Sequence, residues 1–249
     1  MGFRATPTDR APVIAFAGGG ASAALAVIAL MRTTTWLRLD YRVILLDEHG
    51  RHARGAAFSA DDGRRLLDTP VKAMSALPDQ PCHLMDWARG NGLDCGPETL
   101  LPLRAYGDYL AATLADTAAW AAPHAALRWR TGRVARAWDE EDRAVVELAD
   151  GQRLDSAAAV VATGDPAAAA PPRIDGFPAL PPRGDLSTCA RGALRRPAGG
   201  VARRLFAIGP VRREDPGTTI PQIRDQAERL AQRIADTVLR NRPDVLLRD

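Results

Sequence analysis

The chain has 249 residues, enough for one large domain or two small ones, and its balance of 46% hydrophobic and 25% charged residues is that of an ordinary globular enzyme. The net charge of +3 is too small to indicate a nucleic-acid partner, and with Lys72 as the lone lysine the many arginines reflect a composition bias rather than phosphate sites. Cys82, Cys95 and Cys189 are far apart and form no CxxC, and His49, His52, His83 and His124 are scattered, so neither a disulfide framework nor a metal site is expected.

Residues 1–11 read as a loose polar N-terminus. The apolar run 13–30 follows Arg4 and Arg10 and raises the question of a signal peptide or a membrane anchor. Three consecutive glycines in its middle argue against a continuous helix, and the run divides into strand, turn and helix. A cytoplasmic chain without a membrane segment is the expectation. Val13-Ile14-Ala15-Phe16-Ala17 is a short buried strand, Gly18-Gly19-Gly20-Ala21-Ser22-Ala23 a turn, and Ala24 to Met31 an apolar helix. A second buried strand, Val43-Ile44-Leu45-Leu46, ends in Asp47-Glu48. This is the dinucleotide-binding fingerprint with Ala in its third glycine position. Gly18 permits the tight turn, Gly20 admits a pyrophosphate to the backbone, and Ala23 lets helix and strand lie close. The helix start at Ala21 and Ser22 offers N–H groups and a positive dipole end to phosphates. Asp47, with Glu48 beside it, would accept hydrogen bonds from an adenosine ribose, favouring FAD or NAD over the 2′-phosphate of NADP.

Residues 49–80 show little periodicity and read as an extended loop of the kind that covers ligands. Asp79-Gln80-Pro81 starts a short helix running from Cys82 to Arg89. Residues 102–121 give a longer one, with Tyr106, Tyr109, Leu110, Thr113 and Leu114 at helical spacing. Residues 127–155 alternate as an antiparallel β-meander, with Asp150-Gly151 as a hairpin turn. Ala157 to Ala162 is an apolar strand closed by Thr163-Gly164-Asp165. Residues 165–204 are a Pro/Ala/Gly-rich connector without an obvious core. Leu205 to Ile208 is a buried strand ending at Gly209-Pro210, and a helix over about 222–240 carries Ile223, Ala227, Leu230, Ile234 and Val238 as its apolar stripe. Arg212-Arg213-Glu214-Asp215 is a solvated turn or a group near a substrate entrance, and the tail after Pro243 is short.

Three segments resemble the FAD/NAD(P)-binding flavoproteins of the two-dinucleotide-domain type: Val13 to Ala23 with Asp47; the "ATG" strand end Ala159 to Gly164 placed after a β-meander; and Leu205 to Pro210 with Ile220 to Ala227. A narrower resemblance is to an FAD-NAD(P)-binding group related to the N-hydroxylating monooxygenases. It rests on Arg54 to Ser59, Leu66 to Pro70, Met74 to Asp79 and Leu103 to Leu110. The resemblance implies an α/β fold: a Rossmann-like FAD-binding domain with a central parallel sheet, a crossover antiparallel β-meander and flanking helices. It implies one such domain over 1–249, with 1–164 and 205–249 as its core and residues 165–204 standing where relatives carry a nicotinamide-binding domain.

The same resemblance implies site residues. Arg54, Gly55, Ala56, Met74 and Ser75 would pack over the flavin or its phosphates. Val134 would hold adenine by its backbone. Thr163, Gly164, Gly209, Pro210, Ile220 and Pro221 would border the isoalloxazine, with the helix start near Thr219 to Gln222 facing negative charge on a reduced flavin. Three further residues are catalytic candidates, each with a plainer alternative. Asp68, standing where relatives often have Asn, is a general base or a turn residue before Thr69-Pro70. Lys72 contacts the flavin or a substrate anion, or is a solvated lysine. His83 shuttles protons, or is a surface or capping histidine.

The function implied is that of an FAD-dependent oxidoreductase acting on a small molecule, a monooxygenase or a dehydrogenase/oxidase in secondary metabolism. The alternatives are non-redox use of FAD in a cyclisation or rearrangement, and a degenerate FAD-binding protein. NAD(P)H has no domain of its own here. Reducing equivalents would come from the substrate, from transiently docked NAD(P)H or from a separate reductase. An apolar face left by the absent domain predicts a homodimer.

Overall fold

The structure is a computed structural model that describes residues 11–59, 64–166, 170–177, 186–212 and 218–240. Residues 1–10 of the expected loose N-terminus, Arg213 to Asp215 of the expected turn and the tail after Pro243 lie outside the described residues.

The first βαβ unit is β1 (Val13–Ala17), α1 (Ala21–Thr35) and β2 (Tyr41–Asp47). A four-residue helix α2 (Gly55–Phe58) and a 3₁₀ turn at Val71–Ala73 interrupt the expected loop. Helices α3 (His83–Gly90) and α4 (Leu103–Ala121) follow, then strands β3 (Ala125–Thr131), β4 (Val134–Asp139), β5 (Ala144–Leu148), β6 (Arg153–Ser156) and β7 (Ala158–Val161). The chain continues through β8 (Arg173–Ile174), β9 (Ala193–Arg195), β10 (Val201–Ala207) and α5 (Ile220–Ile234), which runs on into a π-helical turn at Ala235–Leu239.

The six-stranded main sheet has the order β3-β2-β1-β7-β10-β9 and is parallel except for β9. The second sheet has the order β6-β5-β4-β8. The period of two along each central strand fixes the layering. Ile14, Phe16, Ala158, Val160, Phe206 and Ile208 join the core beneath α1, α4 and α5. Ala15, Ala17, Ala159, Val161, Leu205 and Ala207 join a second core with Val134, Val146 and Leu148 of the meander. Strands buried on both faces are apolar throughout, as parallel sheets require. Helix α1 is enclosed on nearly every side, which its run of Ala, Leu, Ile and Val suits.

Two readings of the sequence change. The first strand placed in the meander, 127–130, belongs to β3, which pairs in parallel with β2 from Tyr41↔Ala125 to Asp47↔Thr131. Alternation marks a half-buried strand but does not say which sheet it joins. The segment 165–204 is also more structured than its composition indicates. β8 adds a parallel edge to β4, and β9 closes the main sheet against β10. Leu186, Cys189, Ala193, Leu194 and Ala202 are buried there. Proline and glycine mark the turns of this segment, and its strands are too short for their pattern to show.

Helix bounds also shift. α1 begins at Ala21 rather than Ala24, directly on the glycine turn, and β10 begins four residues before Leu205. No helix among the described residues is long and apolar enough to cross a membrane.

Candidate functional site

The glycine turn is where four chain segments meet. Gly18 has φ +115°, and a Cβ there would run into the Ala162 carbonyl and stand 2.9 Å from the Thr163 nitrogen. Its N–H donates to the Leu46 carbonyl at 2.9 Å. A Cβ on Gly19 would stand 2.8 Å from Asp47 Cβ and 2.9 Å from His52 Nδ1. Gly20 faces Gly55, where a Cβ would stand 3.0 Å from Gly20 Cα. From the far side, a Cβ on Gly209 (φ +82°) would stand 2.9 Å from Ser22 Cβ, and the Gly209 N–H donates to Gln226 Oε1 at 2.8 Å. Backbone thus closes on the turn at Gly18 and Gly20, while the Asp47 and His52 side chains border Gly19.

The start of α1 is electropositive and has no side-chain cap. Its N-cap is Gly20, and its first turn carries no acidic residue. The N–H groups of that turn have no intrahelical acceptor, an arrangement that suits an anion. Beside it, Asp47 Oδ1 accepts the N–H of His49 at 3.0 Å and of Arg51 at 2.8 Å, which fixes the carboxylate at the end of β2. Two buried polar atoms at this edge have no hydrogen-bond partner: His52 Nδ1 and Thr163 Oγ1. The His52 ring packs on Trp129 with centroids 4.7 Å apart. Burial holds the His52 imidazole below its ordinary pKa, and the Asp47 charge opposes that shift.

Of the residues singled out in the sequence, Gly18, Gly20, Ala21, Ser22, Ala23, Asp47 and Gly55 lie together at this turn. Thr163 and Gly164 follow β7 directly, Gly164 with φ +83° and open space where a Cβ would be. Gly209-Pro210 reaches the turn through Ser22. Glu48 is exposed, 3.8 Å from Arg133. Arg54 is bound to Asp108 by Nε at 3.0 Å and Nη2 at 2.7 Å, and Ala56 is exposed. Val134 opens β4 and is buried. Ile220 and Pro221 form the first turn of α5, and Gln222 Oε1 caps that turn by accepting the Thr219 N–H at 2.8 Å.

Met74 and Ser75 are buried in the loop after the 3₁₀ turn, where Ser75 Oγ donates to the Gln80 carbonyl at 2.7 Å. Asp68 is exposed and accepts the Thr69 hydroxyl at 3.0 Å. Lys72 is exposed and pairs with Glu98 at 2.5 Å. His83 Nδ1 lies 2.9 Å from the Tyr109 hydroxyl. Among the described residues no cluster of three His, Cys, Asp or Glu side chains is placed to hold a metal ion.

The sequence does not single out Gly19, His52, Trp129, Tyr109 or Arg224 as site residues. His52 stands five positions past Asp47, and that proximity is its only signal. Trp129 comes from a strand whose sheet the alternation does not identify. Tyr109 reads as a core residue of α4, and its hydroxyl contacts follow from folding alone.

The profile of a family described as FAD-NAD(P)-binding matches residues 15–166. No curated protein sequence matches the chain. Among solved structures, a mutant flavin monooxygenase from Stenotrophomonas maltophilia is 22% identical, with 72% of this chain and 44% of that one covered and a TM-score of 0.44. The lysine monooxygenase NbtG from Nocardia farcinica is 19% identical, with 61% and 43% covered and a TM-score of 0.42. The thioredoxin reductase of Lactococcus lactis is 11% identical, with 93% and 100% covered and a TM-score of 0.56, a similarity of fold. The chain thus spans under half the length of the monooxygenases it matches.

Proposed function

The chain belongs to the FAD-NAD(P)-binding family, and from that premise we propose that it binds FAD across the glycine turn and acts as a flavin-dependent oxidoreductase on a small molecule. The observation that carries this reading is the uncapped start of α1, packed against Gly55 and flanked by the fixed Asp47 carboxylate. A diphosphate would satisfy the free N–H groups of α1, and Asp47 would take a ribose hydroxyl. The partnerless Thr163 and His52 atoms border the same edge and fit a ligand with many hydroxyl and phosphate oxygens.

Bound FAD would supply the two-electron chemistry. The residues of the chain supply placement. Gly18 and Gly20 would admit the diphosphate, Met74 and Ser75 would wall the ring, and the start of α5 would turn its positive dipole end toward the ring. Lys72 and Asp68 are exposed and engaged with Glu98 and Thr69, so their part in this reading is at the rim of the site. The strands of residues 173–174, 193–195 and 201–207 complete the two sheets already described. The source of reducing equivalents in this reading is the substrate, transiently docked NAD(P)H or a separate reductase.

The test is calorimetric titration of the purified protein with FAD, ADP and NADP, followed by anaerobic reduction and oxygen exposure. FAD binding is expected, and Asp47→Asn, which keeps an acceptor for the loop but removes the charge, should weaken it by roughly tenfold. A protein that ignores FAD while binding NADP would overturn the reading. Flavin that binds but is never reduced by any substrate or donor would leave the non-redox alternative in its place.

A further inference from the structure

The loop Met74 to Leu77 is held directly from two helices and, through Tyr109, from a third. The Ala76 N–H donates to the Tyr109 hydroxyl of α4 at 2.9 Å. Arg224 of α5 donates from Nη1 to the Ser75 carbonyl at 2.9 Å. His83, the first residue of α3, sits with Nδ1 2.9 Å from the same Tyr109 oxygen. The tyrosine ring is fully buried and lies against His83, Trp87 and Tyr106, with centroids 5.5, 5.6 and 5.7 Å away.

This arrangement offers the Tyr109 hydrogen an acceptor. A phenol has one hydrogen to give. With the Ala76 amide donating to the Tyr109 oxygen, His83 Nδ1 stands where it can accept the hydroxyl hydrogen. In that arrangement His83 is the neutral tautomer with its proton on Nε2. Burial favours the same form by holding the imidazole pKa below its ordinary value. The charges facing it are Asp116 of α4, Asp86 of α3, Arg32 of α1 and Asp79 of the preceding loop; the three carboxylates raise the pKa and Arg32 lowers it.

We propose that His83 is a positioning residue: its neutral ring accepts the Tyr109 hydrogen and so sets the Met74–Leu77 loop, and its protonation releases that loop. Once Nδ1 carries a proton, it can only donate to the Tyr109 oxygen, beside the Ala76 amide. The phenol hydrogen then has lost its acceptor in a buried setting, which is costly. The hydroxyl must turn or move, and the Ala76 contact weakens. The proposal rests on the reading that Met74 and Ser75 wall the flavin. Under that reading the grip on FAD loosens in mild acid. Arg224 carries the change to α5, because the same loop anchors the first turns of that helix.

The test uses His83→Asn, whose side-chain oxygen stands near the place of Nδ1 and cannot be protonated. Hydrogen exchange at the Ala76 amide, corrected for intrinsic rate, is measured with FAD affinity between about pH 7.5 and about pH 5. In the native chain, Ala76 protection should fall by about tenfold over that range and FAD affinity by at least about threefold. His83→Asn should hold both nearly constant. Tyr109→Phe should show low protection at every pH, which separates the hydroxyl from the ring. Parallel pH profiles in the native chain and His83→Asn would overturn the proposal. Falling protection with unchanged FAD affinity would overturn its link to the cofactor. If the protein takes up no FAD at all, the flavin reading fails, and the exchange measurement still decides whether His83 controls the loop.

Discussion

At the scale of single residues, the site is defined by side chains that are missing. Gly18 combines φ +115° with a carbonyl where its Cβ would be, so both strain and collision oppose any substitution. Gly18→Ala should cost about 2–4 kcal/mol of stability, read from the midpoint of urea unfolding, and should abolish cofactor uptake. Position 55 is under a similar constraint from Gly20. Gly18 and Gly20 are legible in the sequence because they sit in a glycine cluster between a strand and a helix with an acid closing the next strand, whereas Gly55 follows only from the resemblance. His52 is not legible in that way. Its place above Gly19 depends on the path of the loop after Asp47 and on Trp129 arriving from a distant strand. Lys72 shows the opposite case: its rarity draws attention, and the fold leaves it in a surface ion pair, an arrangement worth little to stability.

At the scale of elements, one hydrogen-bonded pair ties the end of α1 to the start of β2. The Thr34 hydroxyl donates to the Leu30 carbonyl at 2.7 Å, so the Tyr41 hydroxyl, 2.8 Å away, must donate to Thr34. Both side chains are fully buried, and burial drives the Tyr41 pKa far upward. Thr34→Val keeps the shape but orphans the phenol, and should cost about 1–3 kcal/mol by urea unfolding, whereas Thr34→Ser should cost less. The βαβ unit itself was readable because its strands are apolar runs and its turn is unmistakable. β3 was misplaced because period-two alternation is the same in either sheet, and partner choice is a property of the whole fold. The strands of 173–174 and 193–195 were missed because two or three residues are too few to display a period.

At the scale of the whole molecule, stability is coupled to the two partly buried histidines. Burial lowers the pKa of both His52 and His83. Below about pH 6.5 the unfolded chain therefore binds protons that the folded chain refuses. Stability rises with pH wherever the unfolded state binds more protons, so this contribution is complete above that value and is lost as the pH falls through it toward the folded pKa. Glu228 acts in the opposite sense at lower pH, since burial raises its carboxyl and the folded chain retains a proton there. The urea midpoint is thus expected to drop between about pH 7.5 and about pH 5.5, and to drop less in His83→Asn. The order of helices, parallel sheet and meander follows from the resemblance of the three segments, and the double burial of β1 and β7 agrees with it.

The contact between His52 and Trp129 has an optical consequence. Indole emission is dimmed by a neighbouring imidazolium and drained by a yellow chromophore within transfer range. Trp129, 45% exposed with its ring on His52, is expected to dim on acidification and, under the flavin reading, on loading; comparison with Trp129→Phe separates its signal from that of the other tryptophans.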